Sequence, residues 1–266
     1  MSDAAATVEA GKIDIGRVIG ETFGVLRRNF VTFLVLSLIM SGVPTALFVY
    51  AQASMYGSAG AFNSDFVMWW LMGMLVFMIT ATVLQATLIH TTVQDLNGKK
   101  ATVAESLAVG LRAFLPLIGL GILFSLGIML GFLLLIVPGI MLLVAWFVAV
   151  PAFIADRTSI TGAFGRSAQL TRGNRWRIFG LLVMIYVIIL VLSLVVGAVT
   201  GIGAINAGAD PAAYRDLQTS PLAIAVNVIS QTITGMITSA GVAVLYVELR
   251  RAREGLGPQS LADVFG

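Results

Sequence analysis

Cysteine is absent and histidine occurs once, at position 90, in a chain of 266 residues. The first absence excludes disulfides, thiol nucleophiles and cysteine-based metal sites. The second excludes most metal-hydrolase constellations, which need several imidazoles. Charge is also scarce. Asp, Glu, Lys and Arg make up 11% of residues, against about 25% in an ordinary soluble domain. Hydrophobic residues make up 58%, more apolar surface than a soluble domain of this length can hide. The expected fold class is therefore all-α, a polytopic transmembrane helical bundle.

No charged residue occurs in 29–64, 66–94, 113–155, 178–209 or 217–247. A helix needs about 20 apolar residues to cross the hydrocarbon core. The first two stretches hold one span each, Phe30–Tyr50 and Phe66–His90. The third is long enough for two, divided by the turn dipeptide Pro138-Gly139 into Leu115–Val137 and Gly139–Ala155. Ile178–Thr200 and Leu222–Val247 complete six. A turn with no polar residue must sit inside protein or at the interface. The expected organisation is 1–29 as an N-terminal segment with an interfacial helix, 30–248 as the transmembrane domain, and 249–266 as a tail. Residues 1–29 carry Asp3, Glu9, Asp14 and Glu21 and no apolar run before Phe30, unlike a signal peptide.

Basic residues set the orientation. With six spans, 15 of the 16 Lys and Arg fall on one side, and only Arg215 falls on the other. Both termini are therefore expected in the cytoplasm. Trp69 and Trp70 would mark the outer boundary, and Trp176 and Tyr246 the inner one.

Three segments on the basic side are alike. Gly20-Glu21-Thr22-Phe23 precedes Arg27-Arg28-Asn29-Phe30, Glu105-Ser106-Leu107 precedes Arg112-Ala113-Phe114, and Gly165-Arg166-Ser167 precedes Arg172-Gly173-Asn174. Each leads into a pair of spans, so the plan reads as three repeats of amphipathic helix plus transmembrane hairpin. In the first copy Ile15, Val18, Ile19, Phe23 and Leu26 share one helical face, with Arg17, Glu21 and Arg28 opposite. Such a helix lies in the lipid interface or packs as an elbow against the bundle. Thr102 and Glu105 have capping-box spacing, which predicts a helix start there.

Catalytic, cofactor-binding and metal-binding residues are expected to be none. The spans hold no ionisable group except His90 at a span end, so a buried carboxylate relay is not expected. No phosphate-binding glycine loop of the Walker type occurs. Three features remain. Asn227, Gln231, Thr234 and Thr238 form a polar stripe on the sixth span, either for helix packing or as the wall of a solute path, with Thr82 and Gln85 as candidate partners. Gly127-x-x-x-Gly131 and Gly197-x-x-x-Gly201 would permit close helix approach. Arg166, Arg172, Arg175 and Arg177, with Trp176, are candidate contacts for anionic lipid head groups, beside their plain topogenic role.

Leu134-Leu-Ile-Val-Pro138-Gly139-Ile140, Ala149-Val-Pro151-Ala152, Ser167-Ala-Gln-Leu170-Thr171-Arg172-Gly173-Asn174-Arg175-Trp176, Leu245-Tyr246-Val-Glu-Leu249-Arg250 and Glu254-Gly255-Leu256 follow one another in this order. Over about residues 100–262 the chain resembles the membrane domain of bacterial glycerophosphoryl diester phosphodiesterases and its six-span relatives. It departs at Asp156, where that family leads one to expect Glu. The hydrolase reaction belongs to a separate barrel with paired histidines and metal-binding carboxylates, so the resemblance implies a lipid-related membrane setting and not hydrolysis. The expected function is that of a non-catalytic protein of the bacterial inner membrane, acting in envelope or phospholipid homeostasis by binding lipid or a protein partner. The alternative is a transporter or channel for a small or amphiphilic solute. Expected partners are membrane lipids with anionic head groups at the cytoplasmic face, and a protein partner or a second copy; no nucleic acid and no cofactor is expected.

Overall fold

The structure is a computed structural model that describes residues 12–54, 64–207, 213, 216–217 and 219–254. All regular elements among these residues are helical. They are α1 (Ile15–Arg28), α2 (Phe30–Ser37), a π-turn over Leu38–Gly42, α3 (Val43–Ser54), α4 (Ser64–Leu96), α5 (Val103–Leu134), α6 (Ile136–Trp146), α7 (Ala149–Asp156), α8 (Ile160–Thr171), α9 (Arg175–Ala207) and α10 (Pro221–Glu254). Five stretches are long and apolar enough to cross a membrane: Phe30–Val49, Trp70–Leu96, Val103–Leu134, Ile136–Asp156 and Pro221–Glu254. A sixth is added when α8 and the first part of α9, which meet at 101°, are taken together. The fold is a multi-pass helical bundle. Ser58, Arg215, Gly255, Leu256 and the first and last eleven or so positions lie outside the described residues, as does the side chain of Trp69.

The break within the first span follows from proline. Pro44 has no N–H to return to the preceding turn, and the backbone ahead of it relaxes into the π-turn. The α5–α6 hairpin corrects the expected turn position. The chain turns at Leu135, whose backbone is extended, and Pro138-Gly139 lies in the first turn of α6. Pro138 is suited to that place, because a first-turn N–H has no intrahelical acceptor and proline supplies none. Pro151 occupies the same position in α7, after a break at Phe147-Val148. The hairpin closes on glycine. A Cβ on Gly131 would lie 2.9 Å from the Cα of Gly139, and one on Gly127 would overlap the Trp146 ring. Gly197 differs, since a Cβ there meets open space.

The amphipathic segments take three forms. α1 buries Val18, Thr22, Val25 and Leu26 as an elbow against α10 and turns Phe23 outward. The second segment runs without a break into α5, started by the capping box: Glu105 N–H donates to Thr102 Oγ1 (3.2 Å) and Thr102 N–H donates to the Glu105 carboxylate (2.9 Å). The third is α8, separated from α9 by the turn at Arg172-Gly173-Asn174. That turn needs φ +88° at Gly173, a conformation costly to any residue with a Cβ. The hydroxyl positions aligned by the repeat, Thr22, Ser106 and Ser167, are all buried.

Candidate functional site

The basic side of the bundle is tied together by carboxylates that end the charge-free stretches. Asp95, Asp156 and Glu248 each follow a returning span, and each pairs with an arginine from an amphipathic helix. Arg28 Nη2 reaches Asp95 at 2.6 Å, Arg166 Nε reaches Asp156 at 2.8 Å, and Arg17 Nε reaches Glu248 at 3.4 Å. Asn29 Nδ2 donates to the other Asp95 oxygen (3.1 Å). The Asp95 bond raises the Arg28 guanidinium above its ordinary value, with burial opposing. Asp156 is the busiest of the three acids. Its second oxygen accepts from the Tyr246 hydroxyl (2.7 Å) and lies 3.7 Å from Arg250 Nη1. Glu254 joins Arg166 and Arg250, closing the network onto the end of α10. Tyr246 is therefore fully buried within this network and does not belong to an aromatic belt.

The four arginines expected as lipid contacts divide by what they touch. Arg166 is held by Asp156 and Glu254. Arg177 Nη1 donates to the Ile13 carbonyl (2.7 Å), while Ile13 N–H donates to Asn174 Oδ1 (3.0 Å), so the chain before α1 is clamped to the α8–α9 turn. Arg172 is exposed, and its carbonyl accepts from Arg253. Arg175 has a different setting. It stands at the start of α9 beside a groove of ≈ 250 Å³ lined by Val137, Ile140, Met141, Val144, Trp176 and Phe179. Its Nε is buried and has no hydrogen-bond acceptor among the described residues. Trp176 is 85% exposed and meets Phe179 edge-to-face (6.1 Å, 87°), extending the apolar wall outward. The groove thus joins a hydrocarbon-lined trough between α6 and α9 to one guanidinium at its end.

His90 is drawn into a polar cluster between α4 and α5. Its Nδ1 shares a hydrogen bond with Ser106 Oγ (3.1 Å), and Thr91 donates to the same oxygen (2.9 Å). Ser106 is completely buried, which fits a packing role for the pair. The α8 hydroxyls also serve packing. Ser167 and Thr171 both donate to the Ala145 carbonyl (2.8 and 3.3 Å), just ahead of the α6–α7 break.

Gln231 and Thr238 are exposed and Asn227 and Thr234 half-buried, so the stripe lies on the outside of α10. The polar side chains that α10 buries are Thr232, Ser239 and Glu248. Thr82 bonds its own helix, donating to Met78 O (2.7 Å). The carboxylate network was the feature missed from the sequence. Its signal is the acid that closes each of the stretches 66–94, 113–155 and 217–247.

Five membrane-length helical stretches, six with the bent α8–α9 pair, and a basic end bound by ion pairs define a multi-pass α-helical membrane protein. The chain belongs to a family described as a domain of unknown function, DUF7847, which matches residues 13–249. No curated protein and no solved structure matches it.

Proposed function

We propose that this is a non-catalytic integral protein of the bacterial inner membrane that holds an anionic phospholipid in the α6–α9 groove, within envelope or phospholipid homeostasis. The observation that carries this reading is the setting of Arg175, with a buried, unpartnered Nε at the end of an apolar trough. In a bilayer the trough is bathed in acyl chains, and a guanidinium with an unused donor suits a phosphate or phosphodiester oxygen. Trp176 supplies an indole at the depth where head groups begin. The resemblance to a membrane domain of glycerophosphoryl diester phosphodiesterases supports the lipid setting.

Native mass spectrometry of the detergent-purified protein tests this. Wild type should retain phosphatidylglycerol or cardiolipin. Arg175→Gln should lower retention about fivefold, as expected for one basic contact of about 1 kcal/mol. Arg166→Gln should leave lipid in place and lower thermal stability, because its partners are protein carboxylates. Equal retention in wild type and Arg175→Gln would overturn the site.

The reading includes an orientation with both termini in the cytoplasm, supported by the basic-residue asymmetry. The native chain has no cysteine, so single thiols report freely. Ser220→Cys should react with an impermeant thiol reagent in intact cells. Lys99→Cys and Arg172→Cys, both at exposed positions, should react only after permeabilisation. The opposite pattern would reverse the topology.

A further inference from the structure

α10 presents outward polar groups that nothing among the described residues satisfies. Gln231 and Thr238 are exposed on this span, and Thr234 beside them is half-buried. Among the described residues none of the three has a hydrogen-bond partner. Thr80, Thr82, Thr87 and Thr91 on α4 behave differently, each donating to a carbonyl of its own helix. Gly235 lies on the same face, and a Cβ there would meet open space.

Most described side chains of the neighbouring helix turn away from the bundle. α9 meets the bundle through its first turns, where Ile178 and Leu181 are buried, and beyond them Val183, Tyr186, Val187, Ile188 and Leu194 are exposed. A side-chain amide in hydrocarbon has no water to bond, so a partner helix is the means of satisfying it.

We propose that the Gln231–Thr234–Thr238 face of α10 is the interface of a homodimer, with the two-fold axis along the membrane normal. Two copies inserted with the same topology place every residue at the depth of its own copy. Gln231 then meets Gln231, and Thr238 meets Thr238 about 10 Å further along the helix. The glutamine amide both donates and accepts, so it is complementary to itself. Gly235 between them lets the two backbones approach. A foreign helix would need matching polar groups at both depths; a second copy carries them by identity. This inference does not depend on the lipid groove, which lies on α6 and α9.

Disulfide trapping of the full chain in native membranes tests it. Thr234→Cys and Thr238→Cys should each give a covalent dimer on mild oxidation. Ile233→Cys, exposed on the far side of α10, should not. Adding Gln231→Leu to Thr238→Cys should lower the dimer yield threefold or more. No dimer from either threonine position, or equal yield from Ile233→Cys, would overturn the proposal. So would an internal cross-link in the Val187→Cys, Thr238→Cys double variant, which would assign the face to the chain's own α9.

Discussion

Replacing Gly131 by leucine is expected to abolish recovery of folded protein from detergent extracts. The position faces Gly139 across the α5–α6 hairpin, where a Cβ would lie 2.9 Å from a backbone Cα and 3.0 Å from the Leu142 side chain. Backbone cannot rotate away, so relief requires the two helices to separate. That separation would undo the packing of Phe124 on Trp146 and of Trp146 on Phe164, whose ring centroids lie 6.3 and 4.6 Å apart. Overpacking of a tight site costs about 1–3 kcal/mol, and more when the obstacle is backbone. Gly121→Ala in the same helix is the control, since a Cβ there meets nothing within 4 Å. It should be neutral, or slightly stabilising through helix propensity. Size-exclusion yield and thermal midpoint are the measurements. A monodisperse, wild-type-like Gly131→Leu protein would show that the hairpin is not closed as described.

Asp156→Ala carries the second-largest expected effect. This carboxylate serves Arg166, Arg250 and the hydroxyl of the fully buried Tyr246, so its removal strands several donors at once. Breaking a buried pair from one side costs about 3–5 kcal/mol, and partial exposure of the two arginines brings the expectation to about 2–3 kcal/mol. Asp156→Asn keeps an acceptor for Tyr246 and should lose less. Tyr246→Phe should cost about 1 kcal/mol, the net worth of one hydrogen bond. Thermal midpoints in detergent should therefore fall in the order Asp156→Ala, Asp156→Asn, Tyr246→Phe, with the alanine variant lowest. An unchanged midpoint for Asp156→Ala would mean that the network contributes nothing to holding α7, α8 and α10 together.

The bundle was legible because lipid imposes a simple rule. Charge cannot stay in a lipid-facing span, so the charge-free stretches outline the helices, and the acids and arginines at their ends outline the basic face. Glycine spacing carried equal information at Gly127 and Gly131, because close approach has no other cheap residue. What misled was local reading of residues whose role is set by neighbours. Pro138-Gly139 has the composition of a turn, yet proline is equally at home in the first turn of a helix, and the chain reverses one turn earlier at Leu135. The face that α10 buries is built from Thr232, Met236, Ser239, Ala240, Ala243 and Val247, small or apolar side chains that let helices approach. Nothing in the helical period tells whether that face or the polar one turns inward. Arg166 and Arg175 are alike in sequence; only the positions of Asp156, Glu254 and α6 separate a structural cation from one with an unused donor.

The clamp on Ile13 has a consequence for biogenesis. Both backbone groups of that residue are held by Asn174 and Arg177, which leave the ribosome some 160 residues later. While the first spans are being inserted, the segment at Ile13 lacks these two partners. It can dock only when the α8–α9 turn has been synthesised and delivered to the same face of the membrane. The entry to α1 is thus secured late, after Arg28 and Asn29 have already found Asp95, and arrival of the third repeat fixes it.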